Sequence, residues 1–90
     1  MVKEKVKSEA GTVSQKSKIR ELVLFNDDYN TFDFVIQTLM DVCEHEPCQA
    51  EQCTLIVHYK GKCGVKSGSY SELKPIYDEM LNRTLTVEIQ

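Results

Sequence analysis

Residues 21–44 read ELVLFNDDYNTFDFVIQTLMDVCE, and the change of rhythm inside them decides the fold class. Glu21-Leu22-Val23-Leu24-Phe25 is a short run rich in β-formers that stops at the polar trio Asn26-Asp27-Asp28, as a strand stops at a turn. Beyond the trio the apolar residues change period. Phe32, Val35, Ile36, Leu39, Met40 and Cys43 recur at helical spacing, so residues 31–44 are expected to form an amphipathic helix with one buried stripe. Asn30 is placed to cap it, with Asp33 at N3 as a capping-box variant.

Working outward, Glu46-Pro47 marks a break and a restart, since Pro suits a first helical turn. The segment from Cys48 to Tyr59 is open on its residues alone. Gln49-Ala50-Glu51-Gln52 favours helix, whereas Thr54-Leu55-Ile56-Val57-His58-Tyr59 favours strand. Gly61, Gly64 and Gly68 punctuate a short strand around 62–66 and a turn after it. Ser71 can cap a third helix carrying Leu73, Ile76, Tyr77, Met80 and Leu81 on one face. Pro75 sits uneasily there because its missing N–H begins to cost a bond, so a start near Lys74 is the alternative. Thr84 to Ile89 alternates, with Leu85, Val87 and Ile89 on one face of a closing strand. The expectation is an α+β sandwich with the order strand, helix, helix or strand, strand, helix, strand. Residues 1–19 lack aromatic residues and read as a flexible N-terminal arm, leaving 20–90 as the core domain.

Ninety residues, 41% of them hydrophobic, suffice for one domain with a modest core. No apolar run approaches the roughly 18 residues of a membrane span. The start of the chain shows no apolar leader, so a cytoplasmic protein is expected. Charge is uneven: the first twenty residues hold six basic and two acidic side chains, the remainder five basic and twelve acidic. An acidic body repels a phosphate backbone, which argues against nucleic acid as partner; it suits a cationic group such as a peptide α-amine or, more commonly, serves only to keep a domain in solution. No apolar stripe is left over, so a monomer is expected.

Cys43, Cys48, Cys53 and Cys63, with His45 nearby, raise the question of a metal. Their spacings of five, five and ten contain no CxxC pair and do not match structural zinc patterns, so four reduced thiols and no cofactor are expected. Asn26-Asp27-Asp28 is the densest polar group between two apolar elements. Its carboxylates could serve a metal, an acid–base pair or an ammonium group, or simply close a turn on their own backbone. Neighbouring residues on an extended segment point to opposite sides, which disfavours an Asp27–Asp28 catalytic dyad. His58 follows an apolar run without any motif that marks a nucleophile. An enzyme is therefore not expected.

Leu24-Phe25-Asn26-Asp27-Asp28-Tyr29, the following Phe34-Val35, and Val57-His58-Tyr59-x-Gly61-Lys62 together resemble ClpS, the N-degron adaptor of Clp AAA+ proteases. The resemblance covers about residues 20–90. It implies that the second segment is helical, giving a compact α+β sandwich of a small three-stranded antiparallel sheet and three helices, and placing Thr54, Val57 and His58 on one face. It also implies a peptide site in which Asn26 and His58 hydrogen-bond the ligand's α-amine or first peptide groups and Asp27 supplies the opposing charge, with Asp28 making less direct contact. Asn30, Phe32, Thr54, Val57 and Leu85 would line the pocket for the first side chain, expected to be Leu, Phe, Tyr or Trp.

Three departures from the family pattern stand out: Asn30 replaces the frequent Thr, Phe32 a gating Met, and Thr54 another Met. The third-helix region is also shorter than usual. The implied partners are N-degron polypeptides and the N-terminal domain of a ClpA- or ClpC-type unfoldase, with residues 1–19 resembling the family's extension. Two rivals accompany this reading: a ClpS-like modulator of the unfoldase with altered degron specificity, and a metal protein or enzyme built on Asp27, Asp28, His58 and the cysteines.

Overall fold

The computed structural model describes residues 18–90. The expected arm, residues 1–19, lies outside the described residues except for Lys18 and Ile19. The chain runs β1 (Arg20–Phe25), α1 (Phe32–Val42), α2 (Pro47–Lys60), β2 (Lys62–Gly68), α3 (Tyr70–Asn82) and β3 (Thr86–Ile89). Strand β1 lies in the middle of a three-stranded sheet ordered β2–β1–β3, antiparallel on both sides. This is the expected α+β architecture of three helices on a small antiparallel sheet.

The pleat of β1 sends Leu22 and Leu24 to the helical side, where they meet Leu39 of α1, Ala50 and Val57 of α2, Leu73 and Met80 of α3, and Val87 of β3. Leu22, Leu24, Leu39 and Leu73 are no more than 1% exposed. Removing such a side chain from water stabilises the fold by roughly 2–3 kcal/mol each. The register of β1 against β2 slips between Leu22 and Val23, whose partners are Lys66 and Gly64. Val65 is the residue skipped by this bulge. Its carbonyl is met by His45 Nε2 at 2.6 Å. A carbonyl only accepts, so Nε2 of the buried His45 carries the hydrogen and pins the bulge.

Three local expectations are corrected. Thr31, not Asn30, caps α1: its backbone is extended and its hydroxyl accepts the N–H of Phe34 at 3.1 Å. Asn30 is unavailable because its amide is committed elsewhere. Helix α3 begins at neither Ser71 nor Lys74. Ser69 caps it in a full capping box, accepting from Glu72 N–H at 3.2 Å while the Glu72 carboxylate accepts from Ser69 N–H at 2.8 Å. Pro75 is inside the helix and exposed. The carbonyl it leaves without a donor, that of Ser71, belongs to the exposed first turn, where water can reach it. Finally, Ser67 and Gly68 continue β2 rather than forming a turn.

The open segment 48–59 is helical. Ala50, Thr54 and Val57 fall on one buried stripe of α2, whereas Leu55 and Ile56 are partly exposed. Tertiary burial of that stripe outweighs the strand preference of Leu55-Ile56-Val57. Helix α2 ends at Gly61, whose φ of 96° lies in the left-handed region that glycine adopts without strain.

Candidate functional site

Where β1 ends, the chain crosses over the end of α2. Asn26 N–H donates to the Gly61 carbonyl at 2.9 Å, so the left-handed cap of α2 fixes the first residue of the polar trio. The next residue folds back on the chain. Asp27 Oδ1 accepts the N–H groups of Tyr29 at 2.8 Å and Asn30 at 2.9 Å, and Oδ2 accepts Asn30 Nδ2 at 2.9 Å. This is the self-bonded turn that Asp favours. Partial burial works to raise the Asp27 pKa, but the backbone and side-chain bonds from Asn30 and the backbone bond from Tyr29 together outweigh it and leave the carboxyl below its ordinary value of 3.8. The site therefore holds a fixed negative charge at neutral pH.

Asn30 Nδ2 also donates to the Thr84 carbonyl at 3.0 Å, which ties this turn to the connection between α3 and β3. That connection is a Schellman motif. Thr84 N–H bonds to Leu81 O at 2.9 Å and Leu85 N–H to Met80 O at 3.0 Å. Thr84 occupies the left-handed position with a φ of 64°, a conformation that a β-branched residue adopts only at a cost. Leu85 is delivered to the core beside Met80.

Between the trio, α1, α2 and Leu85 lies a cavity of about 300 Å³. Asn26, Asp27, Asp28, Asn30 and His58 give it polar groups; Leu24, Phe25, Phe32, Val35, Thr54, Val57 and Leu85 supply the rest of the lining. All eight residues singled out from the sequence face this one cavity. Asn26 and His58 are exposed, Asp27 and Asn30 half-buried, and Thr54, Val57 and Leu85 buried. The His58 ring meets the edge of Phe32 with centroids 6.3 Å apart and that of Tyr59 at 4.9 Å. Thr54 donates its hydroxyl to the Ala50 carbonyl at 2.8 Å, which satisfies its polar group within the helix and leaves its methyl as the apolar surface. Leu24, Phe25 and Val35 were not singled out for the pocket. Their signal was present, since Leu24-Phe25 runs directly into Asn26 and Val35 lies one helical turn beyond Phe32.

The Asp27 carboxylate is turned into its own loop, so it stands at the cavity as a fixed charge beside Asn26 and His58. Among the described residues no three His, Cys, Asp or Glu side chains cluster as metal ligands do. Cys43 is buried with Sγ 3.8 Å from Met80 Sδ, Cys48 is exposed, and Cys53 and Cys63 are half-buried. No helix among the described residues is long and apolar enough to cross a membrane.

Comparison with known proteins places this geometry in context. The family model described as "ATP-dependent Clp protease adaptor protein ClpS" matches residues 15–86. Curated relatives bear the name ATP-dependent Clp protease adapter protein ClpS. The protein of Acetivibrio thermocellus is 40% identical over 57 residues, covering 63% of this chain and 58% of the relative. That of Pectobacterium carotovorum subsp. carotovorum is 39% identical over 69 residues, covering 69% and 65%. The matched part thus spans less than two thirds of each relative's length. A solved structure of Agrobacterium tumefaciens ClpS2, bound to L-phenylalaninamide, superposes with a TM-score of 0.69 at 18% identity, covering 84% of this chain and 98% of that one. At that identity the likeness speaks for the fold, and the family match over 15–86 settles the affiliation: the chain belongs to the ClpS family.

Proposed function

We propose that this protein is a non-catalytic adaptor that grips the free N-terminus of polypeptides beginning with Leu, Phe, Tyr or Trp and delivers them to a ClpA- or ClpC-type AAA+ unfoldase for degradation. One observation carries the reading: a fixed carboxylate and two exposed polar side chains, Asp27, Asn26 and His58, stand at a roughly 300 Å³ cavity with a largely apolar wall. An α-ammonium group leaving water must regain hydrogen bonds and a counter-charge, which these groups offer. The cavity is at the small end of the range for ligand sites and suits one large apolar side chain. Phenylalaninamide, the ligand of the ClpS2 relative, has this chemistry: a free amine beside an aromatic side chain.

Because the Asp27 oxygens already accept three bonds, Asp27 contributes charge and the shape of the turn, while Asn26 and His58 make the direct hydrogen bonds. Asn30 is spent within the same turn and acts as a brace for the pocket, not as a contact for the ligand's amine. Fluorescence anisotropy with peptides that differ only at position one, each with a free or acetylated amine, tests the reading. Binding of free Leu or Phe peptides should fall by at least about tenfold on acetylation, as expected for the loss of a charge-assisted contact. Absence of binding to every free N-terminus would refute degron capture.

A second reading, a ClpS-like modulator of the unfoldase with altered specificity, is favoured by Phe32 at the cavity. Its ring is stiff, partly exposed and edge-on to His58. Binding to the unfoldase without any preference for a hydrophobic first residue would select it.

A further inference from the structure

A second concavity lies toward the other end of β1 from the peptide cavity. An open groove of about 510 Å³ runs between α3 and β3, lined by Tyr70, Lys74, Tyr77, Glu88 and Ile89. Tyr70, Lys74 and Tyr77 recur at i, i+4 and i+7 and share one face of α3. The Tyr70 side chain is half exposed, and the Lys74 ammonium stands over the Tyr77 ring at 5.7 Å. Beside this face β3 forms an edge of the sheet, and among the described residues β1 is the only strand next to it. The ladder shows which backbone groups that edge presents. Glu21 and Gln90 exchange both N–H···O bonds, at 2.9 and 2.8 Å. Bonded and non-bonded pairs alternate in an antiparallel ladder, so Leu22 with Ile89 and Leu24 with Val87 are non-bonded pairs. Val87 and Ile89 therefore turn their N–H and C=O groups to the outer edge, where an extended segment can pair with them.

We propose that residues 2–7 of this chain add to the outer edge of β3 as a fourth strand and fill the groove. They read Val2-Lys3-Glu4-Lys5-Val6-Lys7, an alternation that gives a strand two unlike faces. With Val2, Glu4 and Val6 on the helical side, the two valines meet Tyr70, Tyr77 and Ile89, and Glu4 falls between them toward Lys74. The Lys74 ammonium bonds both Asp78 oxygens, at 2.8 and 3.0 Å, and keeps its third hydrogen for Glu4. Lys3, Lys5 and Lys7 then share the opposite face with Glu88, which the pleat sends away from the core side occupied by Val87 and Ile89. A slip of one residue would turn the lysines onto the tyrosines, so the pattern fixes the register. The chain also enters the fold at the lip of the groove: the Arg20 guanidinium lies 5.9 Å from the centre of the Tyr70 ring. Residues 8–19 reach roughly 40 Å at full extension, against about 10 Å across two strand spacings, so either direction of the added strand is open to them. Docking is thereby intramolecular, with an effective concentration on the order of millimolar. The contact does not depend on what the peptide cavity binds.

The test is amide hydrogen exchange by NMR on the full 90-residue chain and on the double variant Val2→Asp/Val6→Asp, at several protein concentrations. A segment docked for roughly nine-tenths of the time slows exchange of the amides it covers by about tenfold. The Val87 and Ile89 amides should therefore exchange at least about tenfold more slowly in the native chain than in the variant, at every concentration. Glu88, whose N–H faces β1 opposite Val23, should be equally protected in both proteins, which shows that the variant keeps its sheet. Contacts between the Val2 and Val6 methyls and the Tyr70 and Tyr77 rings should appear in nuclear Overhauser spectra of the native chain. Equal exchange of Val87 and Ile89 in the two proteins would overturn the proposal. Protection that rises with protein concentration would overturn it as well, because a second copy would then occupy the edge.

Discussion

Substituting Asp27 separates the charge of the site from its scaffold. In Asp27→Ala three hydrogen bonds vanish, from Tyr29 N–H, Asn30 N–H and Asn30 Nδ2, at 2.8, 2.9 and 2.9 Å. Bonds to a charged acceptor contribute about 1.5–3 kcal/mol when buried. Asp27 is only half-buried, and water replaces part of the loss, so about 2 kcal/mol in total is expected. For a domain of this size that lowers Tm by roughly 8–16 °C.

Asp27→Asn behaves differently. Its Oδ1 can keep both backbone bonds, but its Nδ2 then faces Asn30 Nδ2, a donor already committed to Thr84 O at 3.0 Å. Rotating the Asn30 amide would break that bond, so a cost of about 1 kcal/mol is expected. The Asn variant should therefore stay folded while its affinity for free-amine peptides drops by about tenfold or more, with acetylated peptides little affected. The pH dependence has a definite sign. The folded pKa lies below 3.8, so the Asp27 contribution to stability is whole above that value and is lost as pH falls through the depressed one. Thermal unfolding and peptide anisotropy on both variants decide the matter. A folded Asn variant that binds free-amine peptides as the native protein does would refute the charge argument, and an unchanged Tm in the Ala variant would refute the scaffold argument.

Two further predictions concern left-handed residues that border the site. Thr84→Gly relieves a β-branched residue at a φ of 64°. Relief of about 1–2 kcal/mol, less glycine's extra unfolded-state entropy of roughly 0.5–1 kcal/mol, should raise Tm by a few degrees in a thermal melt; a lower Tm would contradict it. Gly61→Ala does the reverse at a φ of 96°, where an added Cβ meets no atom within 4 Å. Backbone strain alone should therefore lower stability by about 1 kcal/mol, read as a lower urea midpoint with an unchanged m-value.

Much of this molecule is legible without coordinates because its signals are local. The apolar spacing of Phe32, Val35, Ile36, Leu39 and Cys43 specifies α1, and Val87 and Ile89 mark β3, although Leu85, expected in that strand, closes the cap of α3 just before it. Turn chemistry marks Asn26-Asp27-Asp28 as the stop of β1. The composition of the pocket was legible only through family likeness, since no periodicity relates Asn30 and Thr54 to Leu85.

What the tertiary structure alone decided are the matters in which a local preference met a distant partner. Thr31 took the cap of α1 because Asn30 reaches across 54 residues of sequence to the Thr84 carbonyl. Residues 54–59 gave up their strand propensity because Ala50, Thr54 and Val57 bury together only as one helical stripe. His45 is held in the interior because the bulge leaves the Val65 carbonyl within reach of its Nε2. Local sequence determines which conformations are inexpensive, whereas burial and hydrogen-bond satisfaction between distant segments select among them.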